Sequence, residues 1–188
     1  MRLKMKLIIS GTKIRLRKLT LSDINSLSKN INDEEIARWT LRIPYPYKRS
    51  DAEKFINQSH DNFRKKIAYN FAITEIDGDE VIGGIGLSNL DWEDKKAELG
   101  YWLGRNYWGR GFTTEAVSLF TNYAFNNLKL HRIYACTFDK NIASQRVLEK
   151  CGFQLEGTLR EAMFKRNRYY DEKFYGLLKP EWKKPADK

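Results

Sequence analysis

One stretch decides the fold: Ala97-Glu-Leu-Gly-Tyr-Trp-Leu-Gly-Arg-Asn-Tyr-Trp-Gly-Arg-Gly-Phe-Thr-Thr-Glu-Ala116. It predicts a strand that ends at about Leu103, then a glycine-rich loop, then a helix that begins near Thr113. Gly109 and Gly111 leave this loop without side chains where the backbone would have to approach a ligand closely. The first amides of a helix have no internal partner and carry the positive end of its dipole. The loop and the helix start therefore predict an anion site that fits a pyrophosphate.

The same glycines also fit a simpler explanation, which is a strand–helix turn that needs them for its own bend. The stretch lacks the third glycine of the dinucleotide-binding pattern Gly-x-Gly-x-x-Gly, because position 114 is Thr. It also lacks the Gly-Lys-Ser/Thr of a Walker loop. Taken alone, the loop leaves both the phosphate site and the plain turn open.

Hydrophobic periodicity on both sides of the stretch predicts a mixed α/β fold with the element order βαα-βββ-α-β-α-ββ. This order gives a single domain over 1–188, with a mixed central sheet of about seven strands and about four helices. The strand–helix–strand unit across the loop is expected to be parallel and right-handed. A further short helix is an option at 33–39. The predicted elements lie at 12–19, 22–31, 50–66, 69–76, 80–87, 96–103, 113–128, 132–138, 143–151, 153–159 and 169–178.

The composition is typical of a soluble globular protein, with 41% hydrophobic residues and a net charge of +10. No apolar run approaches the roughly 18 residues of a membrane span. The Lys-interrupted segment 1–10 predicts a lead-in to a strand and not a secretory signal, which favours the cytoplasm. Two cysteines and two histidines predict neither a disulfide framework nor a metal site. The basic residues are dispersed and carry no zinc-finger, basic-zipper or RNA-recognition pattern, so nucleic acid is not directly expected as a partner.

A second segment makes the assignment specific: Asn141-Ile-Ala-Ser144, followed by Val147-Leu-Glu-Lys-Cys-Gly-Phe153. With the loop it resembles the GNAT family of acyl-CoA N-acetyltransferases, whose patterns are Arg/Gln-x-x-Gly-x-Gly/Ala and Asn-x-x-Ser/Ala…Lys-x-Gly-Phe. One position departs from the first pattern, because Asn106 stands where the family prefers Arg or Gln. Within the family the chain is most similar to the RimJ/RimL-like branch, which contains the ribosomal-protein N-terminal acetyltransferases. The shared features are Glu-Leu-Gly-Tyr-Trp at 98–102, Trp-Gly-x-Gly at 108–111, Thr-Glu-Ala at 114–116, Glu-Gly-x-Leu-Arg at 156–160 and Glu-Trp at 181–182.

The resemblance implies a single-domain GNAT fold in which the central parallel strands 96–103 and 132–138 splay apart around acetyl-CoA. It implies a cofactor-binding part at about 96–153 and acceptor-side elements at about 20–70 and 154–182. Asn141 also suits a helix cap, a role compatible with binding the cofactor, and the simpler explanation of Lys150 is an exposed helix charge. The implied cofactor-binding residues are Trp102, Leu103, Trp108, Gly109, Arg110, Gly111, Phe112, Thr113, Asn141, Ser144 and Lys150.

The resemblance also implies direct transfer of the acetyl group to an amine, with no covalent enzyme intermediate and no metal. Glu98, a carboxylate on the central strand, is the candidate general base, and Ser144 is the candidate donor to the leaving thiolate. Their alternatives are a structural carboxylate and an ordinary helix-face hydroxyl. The substrate-binding candidates are Trp39, Tyr45 and Asp171, with a satellite core or a pair with Arg168 as the alternatives.

The sequence does not identify the acceptor amine, so several functions stay open. The leading hypothesis is acetylation of a protein N-terminus, such as that of a ribosomal protein, by a monomer or homodimer. The second is acetylation of a small amine: a polyamine, an aminoglycoside or an amino acid. A third, from another class, is a nucleic-acid-binding or regulatory module that kept the fold and lost catalysis. A strongly acidic pocket would favour a polyamine, and the acids near the predicted wall are Asp33, Glu34, Glu35, Asp91, Glu93, Asp94, Asp171 and Glu172.

Overall fold

Eight strands form one sheet in the computed structural model, which describes residues 7–183. They are β1 (Ile8–Ser10), β2 (Ile14–Lys18), β3 (Tyr69–Glu75), β4 (Gly83–Asp91), β5 (Lys96–Leu103), β6 (Arg132–Phe138), β7 (Gln154–Lys165) and β8 (Arg168–Leu178). Their spatial order is β1-β2-β3-β4-β5-β6-β8-β7, and every neighbouring pair is antiparallel except β5 and β6. Positions 1–6 of the predicted lead-in, and positions 184–188 of the predicted domain, lie outside the described residues.

Five α-helices accompany the sheet: α1 (Ile24–Ile31), α2 (Glu34–Arg38), α3 (Arg49–Lys65), α4 (Phe112–Asn126) and α5 (Ile142–Lys150). The predicted mixed α/β fold is confirmed, with one strand and one helix more than the main prediction. The added strand is β1, whose three residues are too few for an alternating pattern to be recognised. The added helix is α2, where Asp33 accepts the N–H of Glu35 at 2.8 Å and so caps the helix start.

Several element ends differ from the prediction for local reasons. Helix α3 was expected to be capped at Ser50, but its N-cap is Lys48, whose N–H donates to Asp51 at 2.8 Å. Strand β7 runs to Lys165 instead of stopping at 159, because a register shift between Leu159 and Met163 lets it resume pairing with β8. Strands β5 and β6 have the predicted bounds.

Two buried clusters lie on opposite faces of the sheet. Alternate residues of β3 divide between them, since Phe71 and Ile73 belong to the larger cluster and Ala72 belongs to the smaller one. The larger cluster packs α4 and α5 against one face. The smaller cluster packs α1 and α3 against the other face, with Trp102 of β5 partly buried against it. One face of the sheet therefore carries α4 and α5 and is the candidate face for the cofactor. The opposite face is covered in part by α1 and α3.

The central parallel strands part soon after they meet. β5 and β6 pair only at Lys96 with Arg132, Ala97 with Ile133 and Glu98 with Tyr134. Beyond Glu98 the two strands continue without pairing to each other, while β6 pairs with β8 along its whole length. The expected splay of the parallel strands is therefore confirmed.

Candidate active site

The loop before α4 leads into a helix start whose amides are free. Gly109 and Gly111 have φ angles of 76° and 82°, a region that is strained for any residue with a Cβ. Gly111 is the N-cap of α4 and has no side chain to cap the helix. The first backbone hydrogen bond of the helix runs from Glu115 N–H to Gly111 O at 3.1 Å. Within the described part of the chain, the N–H groups of 112–114 therefore have no partner. This arrangement fits a pyrophosphate.

Two cations flank this helix start. Arg110 lies in the loop, where its Nη2 bonds Glu75 Oε1 at 2.8 Å and its guanidinium lies 4.4 Å from the centre of the Phe112 ring. Lys13, which follows the β1–β2 turn, has its Nζ 3.5 Å from Arg110 O. The Phe112 side chain is buried in the core with Arg110 over its ring, so its backbone N–H is the group that it offers a ligand. Lys13 was missed in the sequence because nothing near position 13 resembles a binding motif.

The backbone of β5 alternates between its two neighbouring strands. Gly104 N–H donates to Ile82 O next to β4 at 2.8 Å, whereas Lys95 O accepts from Arg132 N–H of β6 at 3.1 Å. Peptide groups alternate sides along a strand. The backbone groups that face the splay therefore belong to Leu99, Tyr101 and Leu103.

This alternation bears on two of the implied cofactor-binding residues, Trp102 and Leu103. The peptide groups of Trp102 face β4, where Trp102 pairs with Gly84, so its backbone does not face the splay. Leu103 O faces the splay and accepts Trp108 Nε1–H at 2.8 Å, so Trp108 closes the end of β5. Free backbone groups along the splay are consequently those of Leu99 and Tyr101 and the N–H of Leu103.

Helix α5 brings Ser144 against β5. The Ser144 Oγ lies 2.8 Å from Tyr101 Oη, and the same Oη lies 3.3 Å from Ser144 O. Burial raises the pKa of Tyr101, so its phenol stays protonated. The hydroxyl contact between Tyr101 and Ser144 could not be seen in the sequence, because β5 and α5 are far apart along the chain.

Asn141 caps α5, which is one of the two roles expected for it; the other is cofactor binding. Its side-chain oxygen accepts Ser144 N–H at 3.2 Å. Its Nδ2 has no partner among residues 7–183 and is free to donate to a ligand. The far end of α5 lies against the first turn of α4, because Cys151 Sγ is 3.4 Å from Thr114 O. Lys150, an exposed residue next to Cys151, is therefore near the free helix start.

Glu98 occupies the opposite face of β5 from Tyr101. Its Oε2 accepts Asn89 Nδ2–H at 2.7 Å, and the residue is half-buried. On β6 its register partner is Tyr134, whose ring stacks on Phe174 with centroids 5.1 Å apart. Glu98 thus presents a carboxylate at the point where the parallel strands separate.

A second carboxylate faces the same region from β8. Burial, and then Glu172 and Glu98, raise the pKa of the half-buried Cys136 to about 12. Because Glu98 pairs with Tyr134 and Glu172 pairs with Phe138, Cys136 lies between the two carboxylates along β6. The raised pKa keeps its thiol protonated. Glu172 was noted in the sequence only as one of several acids.

Trp39 lies close to the sheet face that carries Glu98 and Glu172. The β7–β8 hairpin binds the chain on both sides of Trp39. Its ring is 6.1 Å from that of Phe138 at the end of β6, and Tyr170 lies 5.3 Å from Phe138 on the same side. Lys165 Nζ at the hairpin tip donates to the carbonyl oxygens of Ala37 and Thr40. Trp39 is thus brought to the Glu98 side of the sheet.

The other two substrate candidates lie elsewhere. Tyr45 is 52% exposed in the loop before α3. Asp171 does not pair with Arg168; its Oδ1 accepts Glu161 N–H at 2.9 Å and so supports the irregular part of β7. Because side chains alternate along β8, Asp171 points away from the face that carries Glu172. Its proposed substrate role therefore passes to Glu172.

No group of three His, Cys, Asp or Glu side chains among residues 7–183 could hold a metal ion. None of the helices described is long and apolar enough to cross a membrane.

Comparison with known proteins decides the family. A model described as "Acetyltransferase (GNAT) domain" matches residues 13–154. The chain belongs to the GNAT acetyltransferase family. It is 36% identical over 170 residues to the Bacillus licheniformis "Uncharacterized N-acetyltransferase p20", covering 90% of this chain and 95% of that one. It is 32% identical over 174 residues to the Bacillus subtilis "Putative ribosomal N-acetyltransferase YdaF", with 90% and 93% covered.

Two further GNAT relatives bear on cofactor and acceptor. The crystal structure of the microcin C7 self-immunity acetyltransferase MccE in complex with acetyl-CoA and AMP is 25% identical, with a TM-score of 0.80, covering 89% of this chain and 93% of that one. The spermidine N(1)-acetyltransferase of Vibrio cholerae is 25% identical over 172 residues, with 92% and 96% covered. This GNAT protein is an acetyl-CoA-dependent N-acetyltransferase, as predicted, and the name of YdaF agrees with the predicted RimJ/RimL-like branch.

Proposed function

We propose that this GNAT acetyltransferase acetylates the free N-terminal amine of a protein in the cytoplasm, with a ribosomal protein as the leading candidate. The observation that carries the proposal is the half-buried strip beside the splay, formed by Glu98, Tyr134, Cys136, Glu172 and Phe174. A strip of aromatic rings ending in a carboxylate suits an extended chain end. The similarity to YdaF supports a ribosomal acceptor. The two free thiols support a reducing compartment.

On the acceptor side, Glu98 is the proposed general base. An amine attacks a thioester only as the neutral species, so the ammonium form must first lose a proton. The Glu98 carboxylate is half-buried and is oriented by Asn89, which suits proton removal from an amine on that face. Glu172, on the far side of Cys136, adds a second negative charge that favours an arriving ammonium. Elements at about 20–70 and 154–182 would then form the acceptor side.

On the cofactor side, the free amides at 112–114 would hold the pyrophosphate of acetyl-CoA. Arg110 and Lys150 would meet further phosphate groups, and Asn141 Nδ2 would donate to the pantetheine arm. Ser144 is the proposed hydrogen-bond donor to the sulfur. The new C–N bond forms at the thioester carbon, the C–S bond breaks, and its electron pair stays on the sulfur.

Acetylation of a polyamine is the alternative that the spermidine acetyltransferase relative favours. Binding a polycation requires several unpaired carboxylates, and most acids near the predicted wall are already engaged. Asp33 caps α2, and Glu34 and Glu35 pair with cations of the protein. Asp91 and Asp94 both pair with Lys96. The carboxylates that remain beside the splay are few, which favours an acceptor with a single charged amine.

An acceptor panel tests the proposal. Initial rates of CoA thiol release, with product masses, would be measured for a peptide with a free N-terminus, the same peptide with a blocked N-terminus and an internal lysine, and spermidine. We expect turnover with the free N-terminus alone. Turnover with spermidine and neither peptide would replace the proposal with the polyamine alternative. Turnover of the blocked peptide would move the acceptor to a lysine side chain.

A further inference from the structure

The hydroxyl pair of Tyr101 and Ser144 is the closest contact between β5 and α5 that involves side-chain oxygens, at 2.8 Å. Tyr101 stands beyond Glu98, the last position at which β5 pairs with β6, so it borders the splay. Ser144 stands in the first turn of α5, where its N–H is fixed by the Asn141 cap at 3.2 Å. Both residues are therefore held by elements that line the proposed path of acetyl-CoA.

We propose that Tyr101 is a positioning residue that orients the Ser144 hydroxyl toward the leaving sulfur of acetyl-CoA. The inference rests on the proposed function, because it assumes that Ser144 assists the leaving thiolate. It adds a group that lies outside the glycine-rich loop and outside the Asn141–Ser144 segment. Tyr101 itself does not touch the reacting atoms.

The geometry allows either hydroxyl to donate in the 2.8 Å contact, and the Ser144 carbonyl oxygen, 3.3 Å from Tyr101 Oη, is a second acceptor for the phenol hydrogen. We take the Tyr101 Oη–H as the donor to Ser144 Oγ in the shorter contact, because a phenol is more acidic than an aliphatic hydroxyl. The phenol stays protonated because its buried setting disfavours the phenolate. With one lone pair of Ser144 Oγ engaged by Tyr101, the serine proton is left for a third group. Accepting a hydrogen bond also fixes the serine rotamer.

The acetyl transfer balances without a net change in the protonation of Tyr101 or Ser144. The amine nitrogen bonds to the acetyl carbon, the C–S bond breaks, and the electron pair moves onto sulfur. The Ser144 O–H stabilises this thiolate, which then takes its proton from solvent to leave as CoA thiol. The proton lost by the amine goes to Glu98. Tyr101 and Ser144 end the step in the protonation states in which they began.

The chain offers a matched control in Tyr175 of β8. Its Oη donates to Glu149 Oε1 of α5 at 3.1 Å, and its side chain is fully buried in the same cluster as α5. Tyr101→Phe and Tyr175→Phe each delete one phenol oxygen that binds α5. Only Tyr101→Phe removes a bond to Ser144.

The test is a double-mutant cycle of Tyr101→Phe and Ser144→Ala, with Tyr175→Phe as the control and melting temperature measured on all four variants. We expect Tyr101→Phe to lower kcat about five- to ten-fold, which is the rate equivalent of one hydrogen bond, and to leave the KM for acetyl-CoA unchanged. In the Ser144→Ala background it should have no further effect on kcat. Tyr175→Phe should lower the melting temperature and leave kcat unchanged.

The outcomes separate this inference from the function on which it rests. Full turnover by Ser144→Ala would remove the serine role from the proposed function, and the inference with it. Impaired Ser144→Ala beside a fully active Tyr101→Phe would overturn the inference alone. Equal and additive losses of kcat from Tyr101→Phe with and without Ser144 would also overturn it, as would an equal loss in Tyr175→Phe.

Discussion

At the scale of single residues, the chemistry divides between the two faces of one strand. Leu99 and Tyr101 face α4 and α5, whereas Glu98 faces the half-buried strip with Tyr134 and Glu172. With Glu98 as the proposed base on one face and Ser144 as the proposed hydroxyl donor on the other, the amine would enter and the thiolate would leave by separate routes. The parting of β5 and β6 after Glu98 provides the opening between them.

Glu98→Gln tests the base directly. Gln keeps the size of the side chain and an oxygen that can accept from Asn89, but it cannot take a proton. We expect kcat to fall by about 10²-fold or more, with the KM for acetyl-CoA unchanged, in initial-rate measurements. Glu53→Gln, at an exposed position of α3, is the control and should be fully active. An unchanged kcat in Glu98→Gln would assign proton removal to water.

Removing the Glu75–Arg110 ion pair is expected to strengthen acetyl-CoA binding, whereas Glu98→Gln is expected to weaken catalysis. Glu75 holds Arg110 at 2.8 Å and competes for it with any phosphate at the loop. Both side chains are substantially exposed, and such pairs contribute up to about 1 kcal/mol, so Glu75→Gln should tighten acetyl-CoA binding by about two- to five-fold. Calorimetric titration measures this change. Asp77→Asn removes the same charge from a nearby exposed residue that does not pair with Arg110, so it should have a smaller effect. Equal effects in the two variants would mean that the total negative charge near the loop, and not the ion pair, sets the affinity.

At the scale of elements, the acceptor-side helices are tied to the sheet by one bidentate pair. Arg17 of β2 binds both carboxylate oxygens of Asp23 at 2.8 Å, just before α1, and the Asp23 side chain is only 6% exposed. Burial acts to raise the pKa of Asp23, but the hydrogen bonds from Arg17 and Thr20 outweigh it, so the pKa is lowered. A carboxyl with a lowered pKa in the folded state stabilises the fold above its unfolded value, and this contribution is lost as the pH falls through the folded value.

Asp23→Asn should therefore destabilise the protein in a pH-dependent way. At pH 7 we expect the free energy of unfolding to fall by about 3 kcal/mol, because the Arg17 guanidinium, whose side chain is 14% exposed, loses the carboxylate to which it donates two hydrogen bonds. This loss lowers the melting temperature by roughly 6–12 °C. Below the ordinary Asp value of 3.8, the wild type loses the same contribution and the two melting temperatures should converge. Asp79→Asn, at an 80% exposed side chain that also binds Arg17, is the control with little effect. A constant difference between Asp23→Asn and wild type from pH 7 to pH 3 would contradict this account.

Elements with strong periodicity could be predicted from the sequence, and contacts between distant segments could not. Strands β5 and β6 have the predicted bounds, since each is a half-buried run with clear ends. Strand β1 could not be predicted, because three residues are too few to show an alternating pattern. The Tyr101–Ser144 contact depends on how α5 docks on the sheet, and the bond from Glu161 N–H to Asp171 depends on the irregular part of β7. Neither is encoded by local spacing.

At the scale of the whole molecule, the proposed cofactor and acceptor sites lie on opposite faces of the sheet. One face carries α4 with its free helix start and α5 with Ser144, and the other carries the carboxylates and the Trp39 loop. The net charge of +10 agrees with a multiply phosphorylated cosubstrate, and it equally suits an acceptor near RNA. The central claim of the account is that acetyl-CoA occupies the splay between β5 and β6, with its pyrophosphate at the start of α4.

Hydrogen–deuterium exchange of the wild-type protein with and without acetyl-CoA tests this claim most directly. The account predicts that acetyl-CoA slows exchange at 99–103, 109–114 and 141–145, where free backbone groups or the α5 cap would contact it. Gly111→Ala, which strains a φ of 82°, should weaken this protection at equal ligand concentration, whereas Gly157→Ala, where a Cβ meets nothing within 4 Å, should not. Protection confined to the β7–β8 hairpin, or absent from 109–114, would contradict the account.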